Sequence, residues 1–254
     1  GPGRPWQGLG FWGHSENQRS RGVAVLIHHK HRDSMGKGTQ APTAVFSAAD
    51  GRVIRVEWGP TTQRVAVISA YAPCTAAERP AFFNSSGMLA TALLAGAGAT
   101  AHLFVGGDFN CVMEPRDIIG HHTQGGGNRM VGSQELQDLM GAYGLADAWR
   151  YVHPFTHEAT HAATTNTSHA RLDMLFMPFC LLQNGWVTHC SHHLLFPVGD
   201  HAPVVLKLTN PGTPKEGPGV WHFPLPLLQD SAFMGQLRAS LITFQHQWHH
   251  TPSA

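Results

Sequence analysis

Val105-Gly106-Gly107-Asp108-Phe109-Asn110 decides the reading of this chain: an apolar run ends in two glycines and then sets an acid and an amide two positions apart. Leu103 to Val105 reads as a buried strand. Side chains at i and i+2 of a strand share a face, so Asp108 and Asn110 are expected to converge while Phe109 turns into the core. The glycines let the backbone bend and let a substrate come close. The same residues are also good turn chemistry, in which Asp and Asn bond their own backbone. On this stretch alone both readings stay open.

Two other stretches weigh toward function. Gly199-Asp200-His201 precedes the apolar run Ala202 to Leu208, and Arg171-Leu172-Asp173 opens the run Met174 to Met177. Three acids and a histidine therefore sit at the ends of three predicted strands.

Working outward, residues 21–29 read as a strand and 44–58 as two strands turning at Ala49-Asp50-Gly51. With 63–71 these make a predicted meander of four strands. A helix is expected over 77–94, a His- and Gly-rich loop over 120–132, and a helix from a Ser133 cap to Tyr143, stopped by Gly144. Residues 147–167 are polar and irregular, followed by strands at 171–177, 185–189 and 202–208. Many strands with few helices between them predict an α/β (α+β) chain with two packed, mostly antiparallel β-sheets flanked by helices. Residues 1–210 form the expected domain. Residues 211–254 form a linker, opening on Pro211-Gly212-Thr213-Pro214, and an amphipathic helix over 224–248.

The chain has 254 residues, 42% of them hydrophobic, enough for one large domain or two small ones. A net charge of +1 gives no general attraction to nucleic acid, but the charge is uneven: residues 1–80 hold ten Lys/Arg against five Asp/Glu, and 81–254 hold seven against eleven. Arg19, Arg21, Lys30, Arg32 and Lys37 are candidates for a phosphate-facing surface. For any one of them an ordinary solvated face is the commoner reading. Four cysteines without a C-x-x-C pair read as free thiols in a reducing compartment, with no disulfide partner. No basic-then-apolar segment opens the chain, so an intracellular protein is expected. Residues 80–107 carry no Lys, Arg, Asp or Glu, yet they divide into a helix and a strand too short to cross a bilayer, so no membrane partner is expected.

Phosphodiester hydrolysis needs positive charge on the phosphate oxygens, an activated water and a stabilised leaving oxygen. Asp200 is a candidate ligand for a hard ion such as Mg²⁺. His201, oriented by Asp173, can bind the scissile phosphate or move a proton. Asp108 then remains to orient and deprotonate water, with Asn110 fixing the geometry. Cys190-Ser191-His192-His193 fits no standard zinc spacing and reads as a polar turn.

Taken in order, Gly107-Asp108-Phe109-Asn110, Arg171-Leu172-Asp173 and Asp200-His201-Ala202-Pro203 resemble the endonuclease/exonuclease/phosphatase superfamily. More narrowly they resemble the apurinic-endonuclease-like domain of non-LTR (LINE-type) retrotransposons. Tyr71-Ala72-Pro73, Asp147-Ala148-Trp149-Arg150, His153-Pro154, Phe155-Thr156-His157 and Gly217-Pro218-Gly219-Val220-Trp221 add to it. The resemblance covers roughly residues 10–208 and the linker.

It implies a four-layered sandwich, Mg²⁺ dependence with Mn²⁺ as the alternative ion, and nicking of DNA to leave a 3′ hydroxyl. It also implies a reverse transcriptase domain in the parent protein and a nuclear location for an active element. By the same resemblance Tyr71 contacts phosphate, Asp108 and Asn110 handle the nucleophile, Asp173 supports His201, and Asp200 helps to hold metal.

Two departures accompany the resemblance. The family's early strands, one with an Asn and one ending in a metal-binding Gln-Glu, have no counterpart; Glu16 lies in a loop-like stretch. Cys74 also stands where many relatives carry Asn after Tyr-x-Pro. The expectation is a truncated domain lacking N-terminal strands and its main metal ligand. The alternatives are a phosphatase for small phosphate esters and a non-catalytic remnant.

Overall fold

Asp108, Tyr71 and Asp173 owe their proximity to a six-stranded mixed sheet. A computed structural model of the chain describes residues 7–15, 22–29, 40–59, 64–96, 102–120, 126–162, 169–193, 199–212 and 229–248. The strands are β3 (Gln40–Ser47), β4 (Val53–Gly59), β5 (Val65–Tyr71), β6 (His102–Asp108), β8 (Leu145–Asp147) and β11 (Asp173–Pro178). Their order is β3-β4-β5-β6-β11-β8, with β5 and β6 parallel and the other pairs antiparallel. The expected turn at Ala49-Asp50-Gly51 joins β3 to β4.

Two short antiparallel pairs form beside this sheet. β1 (Gly8–His14) pairs with β2 (Gly22–His28), and β12 (Val187–His192) with β13 (Val204–Leu208). The strand read at 21–29 therefore leaves the expected four-strand meander and pairs with residues 8–14, which the sequence reading passed over. Gly8, Gly10 and Gly13 hide that strand from propensity, while the alternating Phe11 joins Val23, Val25 and Ile27 against Ile54, Val56 and Val67. The third small sheet, β7-β10-β9, contains Ile118–Ile119, His169–Ala170 and His161–Ala162.

Alternation sorts the large sheet's side chains. Val53, Ile68, Val105, Met174 and Phe176 face the main core with Phe82, Phe83, Leu89, Leu93, Leu136 and Met140. These come from helices α1 (Arg79–Phe83), α2 (Met88–Leu94) and α4 (Ser133–Ala142). On the other face Ile54, Val56 and Val67 meet β1 and β2, while Phe104, Ala146 and Met177 meet Trp149, Leu181, Leu182, Cys190 and Leu206.

The helix expected over 77–94 is broken: a 3-10 turn over 76–78, then α1 and α2, separated at Asn84 to Gly87. The Asn84 side chain accepts from Ser86 N at 3.0 Å, local turn chemistry that competes with a continuous helix. α3 (Gly126–Met130) forms inside the stretch read as a loop, and α5 (Ala148–Val152) and β9 inside the one read as irregular. α5 is capped by Asp147, whose carboxylate accepts from Arg150 N at 3.1 Å. Ser133 opens α4 without capping it; Gly132 stands at the cap, and the Ser133 hydroxyl donates to Val112 O.

α6 (Phe179–Gln183) completes this unit, which runs to Gly212; residues 213–254 form a second unit containing α7 (Ser231–Trp248). Among the described residues no helix is long and apolar enough to cross a membrane. Cys74, Cys111, Cys180 and Cys190 are all unpaired. Glu16, the basic residues Arg19, Arg21, Lys30, Arg32 and Lys37, and the Trp221 linker lie outside the described residues.

Candidate active site

Register places the reactive groups. Tyr71 ends β5 opposite Asp108 at the end of β6, and Asp108 stands opposite Asp173 at the start of antiparallel β11. Three adjacent strands thus present a phenol and two carboxylates at one edge of the sheet. By parity Tyr71 follows Val67, Asp108 follows Phe104 and Asp173 precedes Met177, so all three project on the face that carries the two small strand pairs.

Gly107 makes the edge tight: its φ is +151°, and a Cβ there would fall 1.8 Å from Ala70 O. Its first service is therefore to the β5–β6 contact. Phe109 is fully buried, and its N–H donates to Leu172 O at 2.9 Å, pinning the turn beyond β6.

Asn110 reaches the site differently from the expected strand alternation. β6 ends at Asp108, and Asn110 adopts a left-handed φ of 51°. Its N–H donates to Asp108 Oδ1 at 2.8 Å, and its side-chain amide donates to Ala72 O at 2.9 Å. The strand ends at Asp108, and the turn rather than strand alternation brings Asn110 to it. The turn ties Asp108 to the segment after Tyr71, and Cys74 closes it: the Cys74 thiol lies 3.0 Å from Tyr71 Oη and 3.8 Å from Asn110 Nδ2.

His201 Nδ1 donates to Asp173 Oδ2 at 2.7 Å, and the donor atoms of Asp108, Asp173 and His201 lie within 4.8 Å of one another. Burial pushes the Asp108 carboxyl up to about 6 against the opposing hydrogen bond from Asn110, which puts it near neutrality as a base. The hydrogen bond to Asp173 raises His201 and favours its charged form. The Cys74 contact, then burial, push Tyr71 up to about 12, so it stays a neutral donor.

Asp200 stands apart from this trio. Its side chain is 60% exposed, and its Oδ2 lies 3.6 Å from His161 Nε2. The sequence reading missed Thr160, which is buried and whose Oγ1 accepts from both Leu172 N and Asp173 N at 3.0 Å. Thr160 O also accepts from Ala202 N at 2.6 Å, so one residue clips the Asp173 strand to the His201 segment. In sequence it is one threonine in a Thr- and His-rich stretch, with no local pattern to single it out.

No protein-family model matches the chain. It is 27% identical over 236 residues to a Xenopus laevis protein described as a transposon TX1 uncharacterized 149 kDa protein. The match takes in 92% of the chain but only 16% of that relative's length. Among solved structures, the apurinic (AP) endonuclease of Leishmania major superposes with a TM-score of 0.59 at 15% identity, covering 80% of this chain and 71% of that one. A Neisseria 3′ phosphatase bound to a product DNA hairpin superposes with a TM-score of 0.51 at 16% identity, covering 79% of each chain. These likenesses show that the chain has the fold shared by the Leishmania AP endonuclease and the Neisseria 3′ phosphatase.

Proposed function

We propose that the chain hydrolyses phosphodiester bonds in DNA, nicking one strand and leaving a 3′ hydroxyl, as the endonuclease domain of a non-LTR retrotransposon protein. The observation that carries this reading is the three-strand edge itself. It sets a phenol donor and two carboxyls at neighbouring strand ends, with Asp108 near 6 and Asp173 paired to His201. Likeness to part of a transposon protein supports the retrotransposon setting and a reverse transcriptase partner within a longer parent. The DNA hairpin on the Neisseria phosphatase supports DNA as substrate.

In this reading Asp108 takes a proton from the attacking water, held in place by the Asn110 N–H. His201, charged and oriented through Nδ1 by Asp173, binds a phosphate oxygen through Nε2. Tyr71 hydrogen-bonds a second oxygen through its phenol O–H; as the water oxygen bonds to phosphorus the P–O3′ bond breaks, and the leaving 3′ oxygen takes a proton from solvent water. The donor set also fits a divalent ion, Mg²⁺ or alternatively Mn²⁺. Asp173 is committed to His201 and Asp108 to the water, which leaves the exposed Asp200 carboxylate, and Mg²⁺ needs only one or two carboxylates because it keeps waters and shares substrate phosphate. Such an ion, when bound, neutralises charge on the phosphate.

The test is relaxation of supercoiled plasmid in Mg²⁺, followed by polymerase extension from the nick. Open circles with extendable 3′ ends, absent with Asp108→Asn, support the reading. Equal nicking by wild type and variant sinks it.

One observation favours a second reading, DNA binding without turnover. Glu158 lines the cavity beside Asp200 and His201, but it belongs to neither donor group there, and its carboxylate lies 2.8 Å from His192 Nδ1. DNA retention on a gel shift without plasmid nicking, together with no thermal shift in Mg²⁺, selects that reading.

A further inference from the structure

A second set of donors shares His201 and Asp200 with the proposed hydrolysis and adds His161, which that hydrolysis does not use. His161, the first residue of β9, forms an isolated antiparallel bridge with His201. Two backbone bonds clamp it: Ala162 N donates to Asp200 O at 3.0 Å and Ala202 N to Thr160 O at 2.6 Å. The rings of His161 and His201 therefore stand 4.7 Å apart, centroid to centroid, with Asp200 beside them.

The donor atoms of His161, Asp200 and His201 all lie within 4.8 Å of one another, and the His161–Asp200 pair is already at 3.6 Å. Bonds of ~2.0–2.1 Å in a tetrahedron place donors about 3.4 Å apart. Side-chain rotations of about 1 Å close the gap to that geometry. The backbone clamps mean that no strand has to move.

Donor chemistry points to a class of ion. Two imidazoles and one carboxylate suit a borderline metal such as Zn²⁺, whereas Mg²⁺ takes oxygen ligands. His201 is already arranged as metal-binding histidines are: its Nδ1–H is given to a carboxylate, which fixes the ring's orientation and leaves Nε2 to bind a metal in place of its proton. His161 Nδ1 is buried without a hydrogen-bond partner, so no bond fixes that ring against turning. Asp200 opens on a cavity of about 420 Å³ that His157 and His169 also line, giving an ion a way in and room for a water as fourth ligand.

We propose that His161, Asp200 and His201 form a binding site for a transition-metal ion of the zinc class, which takes His201 away from the phosphate when filled. Binding stands on the donor geometry alone, while the competition rests on the hydrolytic reading above.

The experiment uses the full chain, freed of metal by chelation, with Co²⁺ as probe. A tetrahedral Co²⁺ absorption band is expected, bleached by one equivalent of Zn²⁺. Asp173→Asn, which removes the carboxylate behind His201, weakens Co²⁺ binding about 10–100-fold. His161→Phe, which removes a ligand and keeps the ring bulk, weakens it further. Asp108→Asn leaves the band unchanged, because Asp108 belongs to the other donor trio. Absence of a Co²⁺ band in wild type, a band that survives His161→Phe, or one lost with Asp108→Asn overturns the site. Circular dichroism checks each variant, and His161→Gln replaces His161→Phe if the latter unfolds.

A second arm measures plasmid nicking in Mg²⁺ with added Zn²⁺: wild type is inhibited and His161→Phe escapes. Equal inhibition of both overturns the competition. If no protein nicks, the hydrolytic reading fails and takes the competition with it, while the Co²⁺ arm still decides the site.

Discussion

Arg171 and Asp173 stand two residues apart, and their surroundings give them opposite work. Arg171 is wholly buried and surrounded by counter-charge: Nε and Nη2 donate to Asp117 at 2.9 and 3.0 Å, and Nη1 lies 2.6 Å from Asp147. Arg150 adds a bond to Asp117, and the Trp149 ring has Arg150 and Arg171 guanidiniums 4.9 and 5.1 Å from its centroid and His192 stacked at 4.6 Å. Burial works against the Asp117 charge, but the two arginines prevail and hold it below the usual carboxylate range. Burial pushes His192 down to about 4, so it is neutral.

Among the described residues Asp173 has one ionic partner, His201, at an edge open to solvent. A charge enclosed by several partners is structure, and a charge left with one partner beside an open face is available for chemistry.

Substitutions at Asp108 and Arg171 should separate loss of activity from loss of stability. Asp108→Asn should cut nicking by about 10²–10⁴-fold, the usual contribution of a positioned base, while the protein stays folded. Arg171→Met should do the reverse. Leaving Asp117 and Asp147 buried without their partner costs about 3–5 kcal/mol. The loss is read as a lower urea midpoint, with activity falling only as the folded fraction falls. If Arg171→Met is as stable as wild type but inactive, the network is part of the chemistry and the division fails.

Thr160 lies where the two regimes meet. Thr160→Val strands the Leu172 and Asp173 N–H groups, at a cost of about 1–3 kcal/mol, and loosens the Asp173–His201 pair. Thr160→Ser keeps the acceptor and should restore both stability and activity.

The pH dependence sharpens the comparison further. Nicking should rise with pH through about 6 as Asp108 ionises and fall again as His201 loses its proton at a raised pKa. Asp173→Asn should pull the alkaline limb to lower pH. The smallest effect is on stability. Because the folded pKa of Asp108 is raised, its contribution to stability is fully present below the unfolded value of 3.8 and is lost as pH rises through about 6. Asp108→Asn should therefore melt higher than wild type at pH 8, by about 1–2 kcal/mol once solvent screening is allowed for, with the gain gone near pH 4.

Asp108, Asp173 and His201 were legible because each stands at the end of an apolar run, and a run of that kind is a strand whose end must come to an edge. Tyr71 was legible only as the last residue of an alternating stretch; its role as a candidate came from the resemblance. β1 was not: three glycines among seven residues remove the propensity signal, and only pairing with β2 forms the strand. The break between α1 and α2 was missed because Ser and Asn bond their neighbours only once the helix end is set.

By itself the sequence determined the strand ends, the acids and histidine placed on them, and the fully buried Phe109 that anchors the turn. Tertiary structure alone decided that Asp108 faces both Tyr71 and Asp173, that Thr160 clips two segments, and that His161 and Asp200 meet His201. The physical reason is range. Alternation along a strand is local and visible in a few residues, whereas register is fixed by pairing across tens of residues, where packing of a whole face selects which side chains stand opposite one another.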